Sequence, residues 1–97
     1  MGLIDNINKI FDHRIRLGIM SILIVNDKVE FNRLKELLEV TDGNLASHTK
    51  KLEEAEYIKI EKSFVGKKPN TKYMATRVGK NAFKKHIEAL EKLLNKN

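Results

Sequence analysis

The sequence predicts a mainly α-helical domain with one small β-hairpin. Three observations point there: apolar residues recur at three- and four-residue spacings in several stretches, two short stretches alternate with period two, and a segment holding the single proline separates those two. Ninety-seven residues suffice for one domain with its own core and are too few for two, so 1–97 reads as a single unit.

At the N-terminus, Leu3, Ile4, Ile7, Ile10 and Phe11 predict a short amphipathic helix over 3–11. Asp12 reads as the N-cap of a second helix over about 13–25, where Ile15, Leu17, Ile19, Met20, Ile22, Leu23 and Ile24 are apolar on more than one face. A helix of that kind belongs at the centre of the core. Asn26-Asp27-Lys28 is turn chemistry, and Val29-Glu30-Phe31 alternates briefly enough for a short strand.

The helical pattern resumes with Asn32 as a cap and Leu34, Leu37 and Leu38 as the apolar stripe, ending near Glu39. Thr41 caps the next helix, whose inward stripe is Leu45, Thr49 and Leu52. Two helices with facing stripes, joined by a few residues over about 32–55, form a helix-turn-helix pattern, in which the first braces the second. The outward stripe of the second carries Gly43, Asn44, Ser47, Lys50 and Lys51, which are small, polar or cationic. Amides, hydroxyls and ammonium groups near a helix N-terminus suit phosphates and base edges; the alternative is an ordinary solvated face.

Tyr57 to Lys62 and Thr71 to Ala75 alternate with period two and predict antiparallel strands, joined by a long basic loop over 63–70 that holds Gly66 and Pro69. A hairpin directly after such a helix, with Lys67 and Lys68 at its tip, is a wing able to lie along a phosphate backbone. The alternative is a structural hairpin whose lysines deter edge pairing. Thr76 caps a last helix over 77–94, where Phe83, Ile87, Leu90 and Leu94 form a seam of coiled-coil type. That seam can pack on its own domain, or against a symmetry mate and the first helix. A twofold dimer would present two reading helices to half-sites about one DNA turn apart, hence a pseudo-palindromic operator.

Charge placement supports a polyanion partner. Six basic and six acidic side chains balance over residues 1–40, whereas Lys59 to Lys85 holds nine basic residues with Glu61 the only acid. A solvated basic face is again the alternative. Cysteine is absent, which excludes disulfides and thiolate metal sites. No apolar run nears the roughly 20 residues of a bilayer span, and an acidic residue stands where a signal peptide would be basic, so a cytoplasmic protein is expected. His13, His48 and His86 are isolated, with no second ligand at metal spacing on the same helix, and His48 borders the core stripe of its helix. Neither a hydrolytic triad nor a Gly-rich phosphate loop is present, so no enzyme activity, metal or cofactor is expected.

The run from Phe31 to Gly79 carries a resemblance, above all in Leu34-Lys35-Glu36-Leu37-Leu38, Thr41-Asp42-Gly43-Asn44-Leu45, Lys51-Leu52-Glu53-Glu54-Ala55 and Phe64-Val65-Gly66-Lys67-Lys68-Pro69. In that order these segments resemble the small winged-helix transcriptional regulators related to the MarR and ArsR families. The resemblance implies a homodimeric double-stranded DNA-binding regulator without catalysis. It puts Asp42, Gly43, Asn44, Ser47, His48, Lys50 and Lys51 on or beside the DNA-reading face, and Lys67, Lys68 and Asn70 on the wing.

Affinity would come mostly from Lys62, Lys67, Lys68 and Lys72 on phosphates, and selectivity from Asn44, Ser47 and Lys51. The expected dimer interface is Leu3, Ile7, Phe83, Ile87, Leu90 and Leu94. Two departures stand out. Glu56 occupies a position where relatives place glycine for a left-handed turn, at a cost of roughly 1 kcal/mol, so the helix could end differently there. The cysteine metal site of many ArsR relatives cannot exist here. The competing expectation is a protein-interaction module of the same fold; a ligand-gated sensor would need a pocket lined by the terminal helices, for which the sequence offers no polar constellation.

Overall fold

A computed structural model describes residue 2 and residues 4–95. After a single 3-10 turn, Lys9–Phe11, come α1 (Arg14–Val25), β1 (Val29–Glu30), α2 (Phe31–Leu38), α3 (Asp42–Glu54), β2 (Ile58–Val65), β3 (Lys68–Ala75) and α4 (Arg77–Asn95). The strands form an antiparallel sheet in the order β1-β3-β2, with Val29 opposite Tyr73 and Ile58 opposite Ala75. This is the winged-helix fold.

The core is built around α1. Ile15, Ile19, Met20 and Leu23 are buried, as expected of a helix apolar on several sides, and meet Leu34 of α2, Leu45 and Leu52 of α3 and Ile58 of β2. Gly18 lets α2 approach, since a Cβ there would press on the Leu38 side chain. Thr41 caps α3 as expected, its hydroxyl accepting the Asn44 N–H at 3.1 Å. Lys35 of α2 pairs with Asp42 at 2.8 Å across the turn. Both helices of this pair end on a left-handed residue that is not glycine: Glu39 at φ 52° and Glu56 at φ 64°. Glu56 does not fray the helix. Its N–H reaches the Glu53 carbonyl at 2.8 Å and the Tyr57 N–H reaches Leu52 at 2.9 Å, so two otherwise orphaned carbonyls are satisfied.

Several expectations are corrected. Among the described residues of the stretch expected as a helix over 3–11 there is no α-helix: residues 4–6 turn and Lys9–Phe11 forms a 3-10 turn. Asn8 diverts the chain: its side-chain oxygen accepts the Ile10 N–H at 2.9 Å, its backbone N–H goes to Nδ1 of His86 at 3.0 Å and its amide to the Tyr57 hydroxyl at 2.9 Å. Phe11 thereby becomes core, stacked on Tyr57 and edge-on to Phe83. The cap of α1 is His13 rather than Asp12, its Nδ1 accepting the Ile15 N–H at 3.2 Å. Asn32 does not cap α2, which starts at Phe31 directly from the strand with no side-chain cap.

The wing has no long loop. Pairing runs on to Val65 opposite Lys68, leaving Gly66 and Lys67 as a two-residue turn. Gly66, at φ 67°, supplies the conformation that the first position of a tight type II′ hairpin needs. Pro69 fits because it faces Phe64 next to the closing pair, where its missing N–H is directed away from β2, on a side that β1, paired only to Lys72 and Tyr73, does not reach.

Candidate nucleic-acid interface

On α3 the buried side is Leu45, Thr49 and Leu52, which leaves Gly43, Ser47, Lys50, Lys51 and Glu54 exposed on the opposite side, with Asn44 at its margin. A Cβ added at Gly43 would meet nothing within 4 Å, so the backbone there is open to a close-approaching partner. Asp42 is also exposed, but its carboxylate is engaged by Lys35. His48 lies elsewhere. It is half-buried against α1, its ring 4.1 Å from that of His13, and its Nδ1 accepts from the Arg16 guanidinium at 2.9 Å. Arg16 also donates from Nε to the Ile10 carbonyl at 2.6 Å. Burial, followed by the neighbouring His13, Arg16 and Lys51, holds the His48 imidazole below its ordinary pKa. His48 is thus a brace between α1 and α3 and not part of the open face.

The hairpin divides its lysines between two faces. Ile58, Ile60, Lys62 and Phe64 alternate onto the face that packs on α3, with Ala75, Tyr73, Thr71 and Pro69 opposite them. Lys68, Asn70 and Lys72 project from the other face, and Lys67 sits at the turn. Lys72 is flanked in register by Glu61 on β2 and Glu30 on β1, which offset its charge; Glu61 is further paired with Lys28 at 3.1 Å. Asn70 is half-buried opposite Ser63. Lys62, Lys67 and Lys68 therefore remain as the exposed cations of the outer ribbon.

Between α3 and the hairpin runs a groove of about 390 Å³, walled by Ala46, Lys50 and Glu53 on one side and Ile60, Lys62 and Thr71 on the other, with Phe31, Thr49 and Tyr73 also lining it. Burial pushes the Tyr73 phenol above its ordinary pKa. Lys50 and Lys62 thus stand on opposing walls. Neither Ala46 nor Thr71 was expected at the site; carrying the period-two pattern of 57–62 onward through Phe64 and back from Pro69 would have put Thr71 beside Lys62.

The expected interface residues separate into two groups. Phe83 is buried in the domain's own core against Phe11 and His86, and Ile87 packs on that core. Leu90 is half-buried and Leu94 is 80% exposed, so the seam leaves its own domain towards the end of α4. Ile7 lies half-exposed beside Tyr57 and Ala82 of the same chain, and Leu3 falls outside the described residues. An open apolar groove of about 720 Å³ runs between Ile24 of α1 and Phe83 and Ile87 of α4, on a different part of the surface from α3. Among the described residues there is no cluster of side chains able to hold a metal, and no helix is long and apolar enough to cross a membrane.

Comparison with known proteins agrees with this architecture. A family model described as a winged helix DNA-binding domain matches residues 15–94. An uncharacterized protein of Methanocaldococcus jannaschii is 42% identical over 79 residues, covering 81% of this chain and 86% of its own. The solved structure of a transcriptional regulator homologue protein from Pyrococcus horikoshii superposes with a TM-score of 0.84 at 29% identity, covering 92% of this chain and 88% of its own. The match spans the helix pair, the hairpin and nearly all of α4, and the chain belongs to the winged helix DNA-binding domain family.

Proposed function

We propose that the chain is a cytoplasmic, sequence-specific transcriptional regulator without catalytic activity, related to the MarR and ArsR regulators, that binds double-stranded DNA as a homodimer on a pseudo-palindromic operator. The observation that carries this reading is the groove between α3 and the hairpin, with Lys50 and Lys62 on its two walls. A helix seated in the major groove and a ribbon reaching past the flanking strand must leave room for one phosphodiester chain between them, and cations on both walls are what that chain requires. Asn44, Ser47 and Lys51 would read base edges, Gly43 would allow close backbone approach, and Lys67 and Lys68 would hold phosphates beyond the groove. Lys72, between two carboxylates, contributes little.

The apolar seam that outruns its own domain on α4 supports the dimer, with Leu90 and Leu94 meeting a symmetry mate. Selection of duplexes from a random pool tests the proposal. It should enrich an inverted repeat with half-sites separated by about one helical turn. Recovery of duplexes with no shared motif would instead favour an assembly module whose basic ribbon meets an acidic protein.

A further inference from the structure

The tip of the ribbon carries more than charge. Phe64 is 73% exposed and its register partner Pro69 is exposed beside it, on the same face as Ile60 and Lys62 and therefore turned to the side on which α3 lies. Neither takes part in the core. The segment from Lys62 to Lys72 holds no acidic residue, and the ribbon around Phe64 is cationic, with Lys62 on the same face as the ring, Lys67 at the turn and Lys68 on the opposite face. An apolar protein partner would not call for lysines on both faces of the tip, whereas a nucleic-acid duplex would.

We infer that Phe64, backed by Pro69, is an apolar wedge that inserts into the minor groove beside the helix-binding site and partly unstacks a base step, untwisting the duplex. The inference rests on the DNA-binding reading above. Reach agrees with it. Ile60 lines the groove against α3, and four further strand residues carry Phe64 about 13 Å outward. That reach is comparable to the half-turn of about 17 Å that separates a major groove from the next minor groove. The two-residue turn makes this a stiff ribbon rather than a slack loop, and Pro69 fixes one backbone torsion directly behind the ring. Apolar side chains inserted at base steps are a known means of bending duplex DNA, and lysines on neighbouring phosphates hold such a wedge in place.

Plasmid DNA tests this without knowledge of an operator. Closed circular plasmid is relaxed by a type I topoisomerase in the presence of saturating full-length protein, and its linking number is compared with that of protein-free plasmid, while filter retention of the same plasmid reports binding. Wild type should leave a linking-number deficit. Phe64→Ala should bind within about tenfold of wild type and leave no deficit, while Phe64→Leu should retain it. Because the ring is exposed, Phe64→Ala should unfold at the wild-type temperature. Retention without any deficit, or an undiminished deficit with Phe64→Ala, overturns the wedge and leaves DNA binding standing. No retention of plasmid by wild type overturns both. If Phe64→Ala instead sediments as a smaller species in the absence of DNA, the patch belongs to self-association and the wedge is overturned.

Discussion

The guanidinium of Arg16 on α1 donates to Nδ1 of His48 on α3 at 2.9 Å, and the same side chain holds the Ile10 carbonyl. Since arginine can only donate, His48 must accept at that nitrogen and is held neutral. His86, on α4, accepts the Asn8 N–H in the same way, and burial lowers its pKa despite the opposing influence of Asp12. Both imidazoles thus bind protons less readily in the folded chain than in the unfolded one. Their contribution to stability is complete above the unfolded value of about 6.5 and is lost as pH falls from there through the lowered folded values. Urea unfolding between pH 8 and pH 5 should show stability declining below about pH 6.5, and the decline should be shallower in His86→Gln. A flat profile in the wild type would contradict this.

The two glycines at the start of α3 and α4 should respond oppositely. A methyl at Gly79 would overlap the carbonyl of Tyr57, which itself accepts the Thr76 N–H at 3.0 Å, so Gly79→Ala should cost about 2–3 kcal/mol or more in chemical denaturation. Gly43→Ala has open space and should leave stability unchanged or raise it by up to about 1 kcal/mol. Its DNA affinity should fall, because the new methyl stands where the backbone is exposed to a duplex.

Lysines that look equivalent in composition should differ in effect. Replacing Lys67 and Lys68 together by alanine should weaken binding similarly for all duplexes and reduce the log-log salt slope of a dimer by about 3–4. Lys72→Ala should change the slope much less, because Glu30 and Glu61 already flank that ammonium group. Salt titrations of the two variants against one duplex compare them directly, and equal losses would refute the division of the hairpin into two faces.

Leu94→Lys combined with Leu90→Lys should leave the helical circular dichroism close to wild type while converting a dimer to a monomer in sedimentation. Leu94 is almost free of its own domain and Leu90 only half-buried. An unchanged mass would move the dimer interface elsewhere, with the apolar groove beside Ile24 as the next face to alter.

The parts legible in the sequence are those governed by local pattern. Thr41 and the stripe Leu45, Thr49 and Leu52 announce α3, and the apolar encirclement of α1 announces its burial, because capping and periodicity act within a few residues. What was misread depended on contacts distant in the chain. The helix expected over 3–11 is pre-empted by Asn8, whose partners Tyr57 and His86 lie far along the sequence. His48 reads as a possible DNA contact until Arg16 is seen to hold it.

The hairpin failed for a different reason. Gly66 and Pro69 are both loop formers in isolation, yet here one makes the tight turn and the other sits on a strand edge that carries no partner, so pairing continues to Val65. Charge counting also treated Lys72 as a free cation, since only the register reveals its two carboxylate neighbours.

The most direct measurement of the central claim is fluorescence anisotropy of a labelled duplex of about 30 base pairs titrated with the purified chain at several salt concentrations. With Lys50, Lys62, Lys67 and Lys68 on phosphates, binding should be tight in dilute buffer and weaken with a log-log slope of about −7 for the dimer, with Lys50→Ala and Lys62→Ala each lowering both affinity and slope. A duplex that stays unbound in dilute buffer, or binding whose strength ignores salt, would contradict the account.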